Sequence, residues 1–196
     1  MIYTYNELLL KYKSAYQIEK AVKNSEIYKI KKGIYSDVPS VHYLAVIMKK
    51  YPYGVFTSYS AYYYHNLTDV IPNKMYLSTN RNGTTIISDK IYLATDRNNR
   101  MISSNKIKQI RMKEELYNLG KTEIDYEGIK INIYDKERML IDLARNKNQI
   151  GYDLYKEIIS NYRKLANSLD TQKIEEYLQY FVNGDKIFEI IQDEVF

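Results

Sequence analysis

Residues 14–35 read SAYQIEKAVKNSEIYKIKKGIY, and this stretch predicts a helix followed directly by a basic hairpin. Ser14 is a residue type that favours the N-cap, so we expect a helix at about 15–24. The alternation that follows, with Tyr28 and Ile30 on one side and Lys29 and Lys31 on the other, predicts a strand, and Lys32-Gly33 is the turn before a returning strand. On the helical wheel, the apolar arc consists of Ala15, Ile18, Ala21 and Val22, and the opposite arc of Tyr16, Gln17, Lys20 and Lys23.

A helix beside a basic hairpin is typical of winged-helix DNA-binding segments. The helix enters the major groove and the hairpin contacts the backbone or the minor groove. Gln17 has the donor and acceptor that a bidentate contact to adenine requires. Five lysine contacts would give a slope of about −4 to −5 for log K against log[salt]. The predicted DNA-binding residues are Tyr16, Gln17, Lys20, Lys23, Lys29, Lys31 and Lys32.

The same pattern has an alternative interpretation that requires no nucleic acid. An amphipathic helix with one solvated face can adjoin a lysine-rich hairpin without either of them binding a partner. The flanking sequence predicts a small N-terminal segment in both cases. Apolar residues predict a short helix at about 4–12, and Val38-Pro39 marks a boundary. We therefore predict two domains, residues 1–37 and residues 38–196.

The C-terminal segment (residues 38–196) combines predicted strands and helices. Asn82-Gly83 and Glu127-Gly128 are hairpin signals, and Asp135 favours the N-cap of a helix. The fold class is α+β: a small N-terminal winged helix-turn-helix followed by a larger mixed α/β domain with a helical C-terminal third. Strands are predicted at 74–79, 85–88, 90–95, 107–112, 121–126 and 129–134, and helices at 40–51, 58–65, 136–147, 152–166, 171–182 and 185–195.

Charge is distributed unevenly along the chain, whose formal net charge is +5. Residues 1–36 contain seven Lys against three Glu, and residues 74–113 contain nine Lys or Arg against two Asp. Residues 167–196 contain two Lys against seven acidic residues. Such segregation indicates a surface that faces a polyanion, although a solvated charged face produces the same pattern.

A second basic run follows the predicted hairpin region of the C-terminal segment. We consider it a possible second nucleic-acid surface, or else a solvated basic edge that discourages strand aggregation. If 107–112 is a strand, Lys106 and Lys108 lie on one side of it, and Arg111 lies with Ile107 on the other. The run comprises Arg97, Arg100, Lys106, Lys108, Arg111 and Lys113, with no acidic residue between 97 and 113.

Three blocks of the chain carry a resemblance to a known family. Residues 27–35 (IYKIKKGIY) look like a basic hairpin that ends in Gly-aliphatic-Tyr. Residues 56–69 (FTSYSAYYYHNLTD), with Pro72 and the strand at 74–79, form the second block, and residues 134–143 (YDKERMLIDL) form the third. In this order they resemble the AbiEi family of antitoxins over most of residues 14–146.

The resemblance implies a two-part function. AbiEi antitoxins of type IV toxin–antitoxin (abortive infection) systems bind inverted repeats in their own promoter, repress the operon and neutralise a nucleotidyltransferase-like toxin. We therefore expect double-stranded promoter DNA as a partner, possible self-association on DNA and no stable toxin complex. Met139 departs from the family's Thr, and only 13 residues precede the helix at 15–24, so one winged-module helix is absent or abbreviated. The alternative is a DNA-binding transcriptional regulator without a toxin partner.

Enzymatic motifs are absent from the sequence. It contains no GxxxxGK[ST], GxGxxG or HExxH pattern and no cysteine. His42 and His65 lack neighbouring ligands at metal spacing, and we expect His65 to cap a helix or to form a local hydrogen bond. Arg138 and Asp142, four residues apart, form either an ordinary helix-surface pair or a link between two elements of the fold. We predict a non-enzyme without metal or cofactor, with a nucleic-acid enzyme as the disfavoured alternative.

The predicted cellular location follows from the absence of targeting patterns. The first residues, MIYTYNELLLKYK, lack the basic region and long apolar run of a signal peptide. No stretch approaches the roughly 20 apolar residues of a membrane span. We expect a cytoplasmic protein.

Overall fold

The computed structural model describes residues 1–83 and 107–196. Within these ranges the chain is mixed α/β, with nine α-helices and two β-sheets. The strands predicted at 85–88 and 90–95 lie outside the described residues. No helix within the described ranges combines the length and apolarity needed to cross a membrane.

The N-terminal segment (residues 1–37) contains two helices and a three-stranded sheet. In chain order its elements are β1 (Ile2–Thr4), α1 (Tyr5–Tyr12), α2 (Ala15–Lys23), β2 (Tyr28–Lys31) and β3 (Ile34–Ser36). The strand order is β1-β3-β2, and both pairings are antiparallel. Strand β1 was not predicted, because three residues are too few to show an alternating pattern.

Local capping explains where the two N-terminal helices begin and end. Thr4 and Glu7 form a capping box at the start of α1, and Lys13 ends this helix in the left-handed conformation. The Ser14 hydroxyl accepts a hydrogen bond from the Gln17 backbone N–H at 3.2 Å, so the predicted N-cap is confirmed. The link between α1 and α2 is therefore only two residues long.

A small apolar core holds α1 and α2 against the sheet. It consists of Leu8, Ile18, Ala21, Ile27 and Tyr35, all buried. Ala15, which was predicted to lie on the apolar arc, is exposed instead. Helix α2 contributes buried side chains only from Ile18 onward, so its first turn extends beyond the core.

The C-terminal segment contains the remaining elements. The predicted strands at 74–79, 107–112, 121–126 and 129–134 are confirmed within a residue, as is the helical last third. The two-residue strand at Val55–Phe56 and the short helix at Glu114–Asn118 were not predicted. The elements are α3 (Tyr43–Lys50), β4 (Val55–Phe56), α4 (Ser58–Tyr64), β5 (Met75–Asn80), β6 (Ile107–Met112), α5 (Glu114–Asn118), β7 (Lys121–Tyr126), β8 (Ile129–Tyr134), α6 (Lys136–Arg145), α7 (Tyr152–Leu165), α8 (Thr171–Leu178) and α9 (Gly184–Val195).

The five-stranded sheet has the order β6-β5-β4-β8-β7. Strands β5 and β6 pair in parallel over six residue pairs, and β4 pairs in parallel with β8 through Phe56 and Ile133. The hairpin β7–β8 turns at Glu127-Gly128, where both residues have positive φ (53° and 77°), so this predicted turn is confirmed. The hairpin predicted from Asn82-Gly83 lies partly outside the described residues, and β5 is flanked by β4 and β6.

Helix α6 lies at the centre of the larger core. Seven consecutive residues, Arg138 to Ala144, are buried, and the helix packs against α4, α8 and α9. The Asp135 side chain accepts a hydrogen bond from the Arg138 backbone N–H at 2.9 Å, as its predicted capping role requires. The buried apolar residues of this core run from Leu44 to Val195.

The two segments contact each other along α3. This helix lies against β1, and Lys49 Nζ is 2.7 Å from Glu7 Oε1. The hydrogen bond from Lys49 lowers the pKa of Glu7 to about 2. This ion pair is partly exposed, unlike the buried side chains of the two apolar cores.

Candidate nucleic-acid interface

Helix α2 presents a polar face to solvent because its opposite face is fixed in the small core. Ile18 and Ala21 are buried there, and Val22 is half-buried. The four side chains predicted to face a partner are consequently exposed, and Tyr16 retains 71% of its accessible surface. These four residues are Tyr16, Gln17, Lys20 and Lys23. Glu19, also exposed, adds one negative charge to the same helix.

The hairpin β2–β3 contributes two exposed lysines rather than three. Lys29 and Lys32 are exposed, whereas Lys31 is half-buried and its ammonium nitrogen is shielded from solvent. Lys29 pairs with Tyr35 and Lys31 with Ile34, so β2 contains one extra residue. This bulge places Lys29 and Lys31 on opposite faces of the sheet, because their partners are adjacent in β3. The prediction that Lys29 and Lys31 share one side is therefore wrong.

The exposed lysines of this region have no counter-ions in the part of the chain that the structure describes. Within residues 1–83 and 107–196, no carboxylate forms an ion pair with Lys20, Lys23, Lys29 or Lys32. The Gln17 side-chain amide likewise has no hydrogen bond to the described chain. Their charge and hydrogen-bonding capacity are therefore available to an external group.

The second basic run is only partly described. Arg97, Arg100 and Lys106 lie outside the described residues. Lys108, Arg111 and Lys113 are exposed on and after β6, while Ile107 is buried. Arg111 and Lys113 border a groove with Arg81 and Arg145, and Lys108 lines a neighbouring pocket.

Arg138 is a structural cation at the centre of the C-terminal segment. Its side chain is completely buried, so the interpretation of Arg138 and Asp142 as a helix-surface pair is wrong. The guanidinium donates to Asp142 Oδ2 (3.2 Å) and to the carbonyls of Leu116 (2.9 Å) and Leu119 (3.4 Å). It also lies over the rings of Tyr134 and Phe181. The alternative, a link between elements, is confirmed, because these contacts connect α6 to α5 and the residue after it.

Two neighbours complete the environment of Arg138. Asp142 also accepts a hydrogen bond from Arg145 Nη2 at 3.0 Å, so one buried carboxylate pairs with two guanidinium groups. Gly120 has a φ of +73°, and a Cβ added there would lie 2.6 Å from Arg138 Cβ. A side chain at position 120 would therefore displace Arg138.

The two histidines have structural partners. His65 is the C-cap residue of α4, so the capping alternative is confirmed, but its ring forms no local hydrogen bond, because Nε2 lies 2.6 Å from the Tyr134 carbonyl, 69 residues away. Burial of His65 lowers its pKa, which favours the neutral ring. His42 caps α3 by accepting from the Leu44 backbone N–H, and its Nε2 lies 3.3 Å from Glu127 Oε2. In the described part of the chain, no three His, Asp or Glu side chains converge as a metal site would require.

The role of Tyr134 in the C-terminal segment was not predicted from the sequence. Tyr134 is fully buried, and its hydroxyl lies 2.8 Å from Ser78 Oγ and 3.0 Å from the Tyr117 carbonyl. Burial raises the pKa of Tyr134 and keeps it protonated. Neither partner is close in sequence, so no local pattern could have predicted this role.

Comparison with protein-family models and with curated proteins gave no match to this chain.

Proposed function

We propose that this protein binds double-stranded DNA through α2 and the β2–β3 hairpin, and that it is an autoregulating antitoxin of the AbiEi type. One observation carries the proposal. A helix fixed to a small core presents Gln17 and two lysines to solvent, next to a hairpin with two further lysines, and none of these four cations has a counter-ion among the described residues.

The arrangement of the N-terminal elements supports a winged helix-turn-helix. Two helices separated by two residues are followed by a hairpin, and the sheet order β1-β3-β2 places the returning strand in the centre. In this arrangement α2 is the recognition helix and β2–β3 is the wing.

The proposed contacts follow from where each side chain lies on α2 and the hairpin. Tyr16 and Gln17 lie in the first turn of α2, which is the part of a recognition helix that contacts base edges. Lys20 and Lys23 extend the polar face, and Lys29 and Lys32 neutralise phosphates. Four lysine contacts, rather than five, give a slope of about −3.6 for log K against log[salt].

Fluorescence anisotropy with a duplex from the promoter of the protein's own operon tests the DNA-binding proposal. We expect the double variant K20A/K23A to reduce the magnitude of the salt slope by about 2. The control is K130A/K164A, which removes the same charge from two exposed lysines of the C-terminal segment. Equal weakening by both variants, or no duplex binding by the native chain at low salt, would show that α2 is not the interface.

The antitoxin part of the proposal rests on the three sequence blocks and needs a separate experiment. The native chain and K20A/K23A are co-expressed from a foreign promoter with the product of the adjacent gene. We expect growth rescue by both chains, because toxin neutralisation is assigned to the C-terminal segment and repression to the N-terminal one. If the native chain binds the promoter but relieves no toxicity, it is a DNA-binding regulator without a toxin partner.

Self-association on DNA is part of the same proposal, since inverted repeats require two protomers with matching symmetry. The anisotropy titration addresses it when the duplex carries one repeat or both. We expect tighter binding per site on the paired repeats.

A further inference from the structure

A polar pocket lies between α4, the strands β5 and β6, and the C-terminal end of α6. Its volume is about 340 Å³, which falls in the range of small-molecule sites, roughly 300–1,000 Å³. The side chains that give it chemical character are Tyr59, Tyr76, Lys108, Asp142, Arg145 and Gln149. None of them belongs to the N-terminal segment, so the pocket is separate from the proposed DNA interface.

The charge of the pocket favours an anion. Lys108 and Arg145 are the cations of its described lining, and Asp142 is the only carboxylate there. Asp142 is already paired with Arg145 and with the buried Arg138, so it has little negative charge to offer a ligand. Within the described residues no carboxylate pairs with Lys108. The local field is therefore positive, and its low-dielectric walls strengthen it.

The aromatic residues of the pocket favour a planar group beside that anion. The rings of Tyr59 and Tyr76 lie 5.1 Å apart with an interplanar angle of 46°, and both residues are half-exposed. Lys108 Nζ lies 5.5 Å from the centre of the Tyr76 ring. A planar base that stacks on a tyrosine here would hold its attached phosphate within reach of the lysine. Gln149, at the rim, provides both a donor and an acceptor for the edge of such a base.

The backbone at the pocket adds an independent observation. Ser58, which lines it, has a φ of 50°, a left-handed conformation that costs energy in a residue with a side chain. Backbone strain of this kind occurs preferentially at ligand sites.

We propose that this pocket binds a nucleotide, with the base against Tyr59 and Tyr76 and the phosphates on Lys108 and Arg145. The inference does not depend on DNA binding or on a toxin, because every residue that carries it lies in the C-terminal segment. The occupancy of this pocket would then depend on the nucleotide concentration in the cell.

Isothermal titration calorimetry on the full chain tests the proposal with three probes: ATP, adenosine and inorganic tripolyphosphate. We expect saturable binding of ATP and weaker binding of each of the other two. K108A and R145Q should each weaken ATP binding about tenfold, the loss expected for one hydrogen bond to a charged group. K164A, an exposed lysine outside the pocket, should bind ATP like the native chain.

Each alternative outcome overturns the proposal. Absence of ATP binding up to millimolar concentration would do so, provided that circular dichroism shows a folded chain. Equal affinity for tripolyphosphate and ATP would show a simple anion site without base recognition. ATP binding that survives both K108A and R145Q would place the nucleotide elsewhere on the molecule. Because both variants leave the buried Arg138–Asp142 pair in place, we expect them to fold.

Discussion

The two segments of the molecule use cations in opposite ways. In the C-terminal segment, Arg138 is fully buried and its guanidinium is enclosed by a carboxylate, two carbonyls and two aromatic rings. In the N-terminal segment, Lys20, Lys23, Lys29 and Lys32 lie in solvent without a described carboxylate partner. A cation whose hydrogen-bonding capacity is filled contributes to the fold, whereas one that is left open is available for a partner.

This contrast separates the effects of mutation into two kinds. Loss of an enclosed cation leaves buried partners without a counterpart, and the cost appears in the free energy of unfolding. Loss of an open cation leaves nothing unsatisfied, and the cost appears only in binding. The following substitutions test this division in order of their expected effect on stability.

The largest loss of stability is expected for Arg138→Met. The substitution leaves Asp142 with Arg145 alone and leaves the carbonyls of Leu116 and Leu119 without a donor. We expect the free energy of unfolding to fall by about 3–5 kcal/mol, measured by urea denaturation. Lys130→Met is the control, because Lys130 is 75% exposed in its pair with Glu123 and should cost no more than about 1 kcal/mol. A difference below 1 kcal/mol between the two variants would contradict the structural role of Arg138.

A matched pair of glycine substitutions gives the next effect. Gly120→Ala and Gly128→Ala both place a side chain at positive φ, +73° and +77°. At Gly128 the added Cβ meets no atom of the described residues within 4 Å, so only the left-handed conformation is penalised, by about 1–2 kcal/mol. At Gly120 the Cβ also collides with Arg138, which adds about 1–3 kcal/mol. Equal midpoints of denaturation for the two variants would show that Arg138 can move away from the added Cβ at little cost in free energy.

Glu7→Gln tests the contact between the two segments. The depressed pKa of Glu7, about 2, means that its ion pair with Lys49 stabilises the fold above pH of about 4 and is lost as the pH falls toward 2. The Glu7 side chain is 46% exposed, so solvent screening limits the contribution to about 1 kcal/mol or less. We expect native chain and variant to differ in thermal midpoint at pH 6 and to converge near pH 2. A constant difference across this range would show that the effect does not come from the ionised Glu7 carboxylate.

The smallest change in stability is expected for Lys29→Ala and Lys32→Ala. Neither lysine has a described ion pair, so each substitution should alter the free energy of unfolding by less than about 0.5 kcal/mol. Duplex affinity, in contrast, should fall, and each change should reduce the magnitude of the salt slope by about 1. A substantial loss of stability would show that these lysines have a structural role, as Arg138 does. The two segments would then not differ in how they use their cations.

Features that depend on neighbouring residues were predictable from the sequence. The caps at Ser14 and Asp135 and the turn at Glu127-Gly128 are each determined within a few positions, and each was predicted correctly. The exposed face of α2 was predictable for the same reason, because helical spacing alone separates Lys20 and Lys23 from Ile18 and Ala21.

Features that depend on distant residues were not predictable. The bulge in β2 is set by its register with β3, and it moves Lys31 away from the face of Lys29. The burial of Arg138 depends on carbonyls 19 and 22 residues earlier in the chain, in and after a helix that the sequence did not reveal. Strand β4 has only two residues, and its position follows from partners at 77–78 and 133.

The pairing of Phe56 with Ile133 has a consequence for how the chain folds as it leaves the ribosome. All five residues of the small core lie between Leu8 and Tyr35, so the helix–hairpin surface can form early in translation. The five-stranded sheet becomes continuous only when Phe56 of β4 can pair with Ile133 of β8, which is synthesised 77 residues later. For part of its synthesis each nascent chain therefore carries a finished first segment tethered to an unfinished second one.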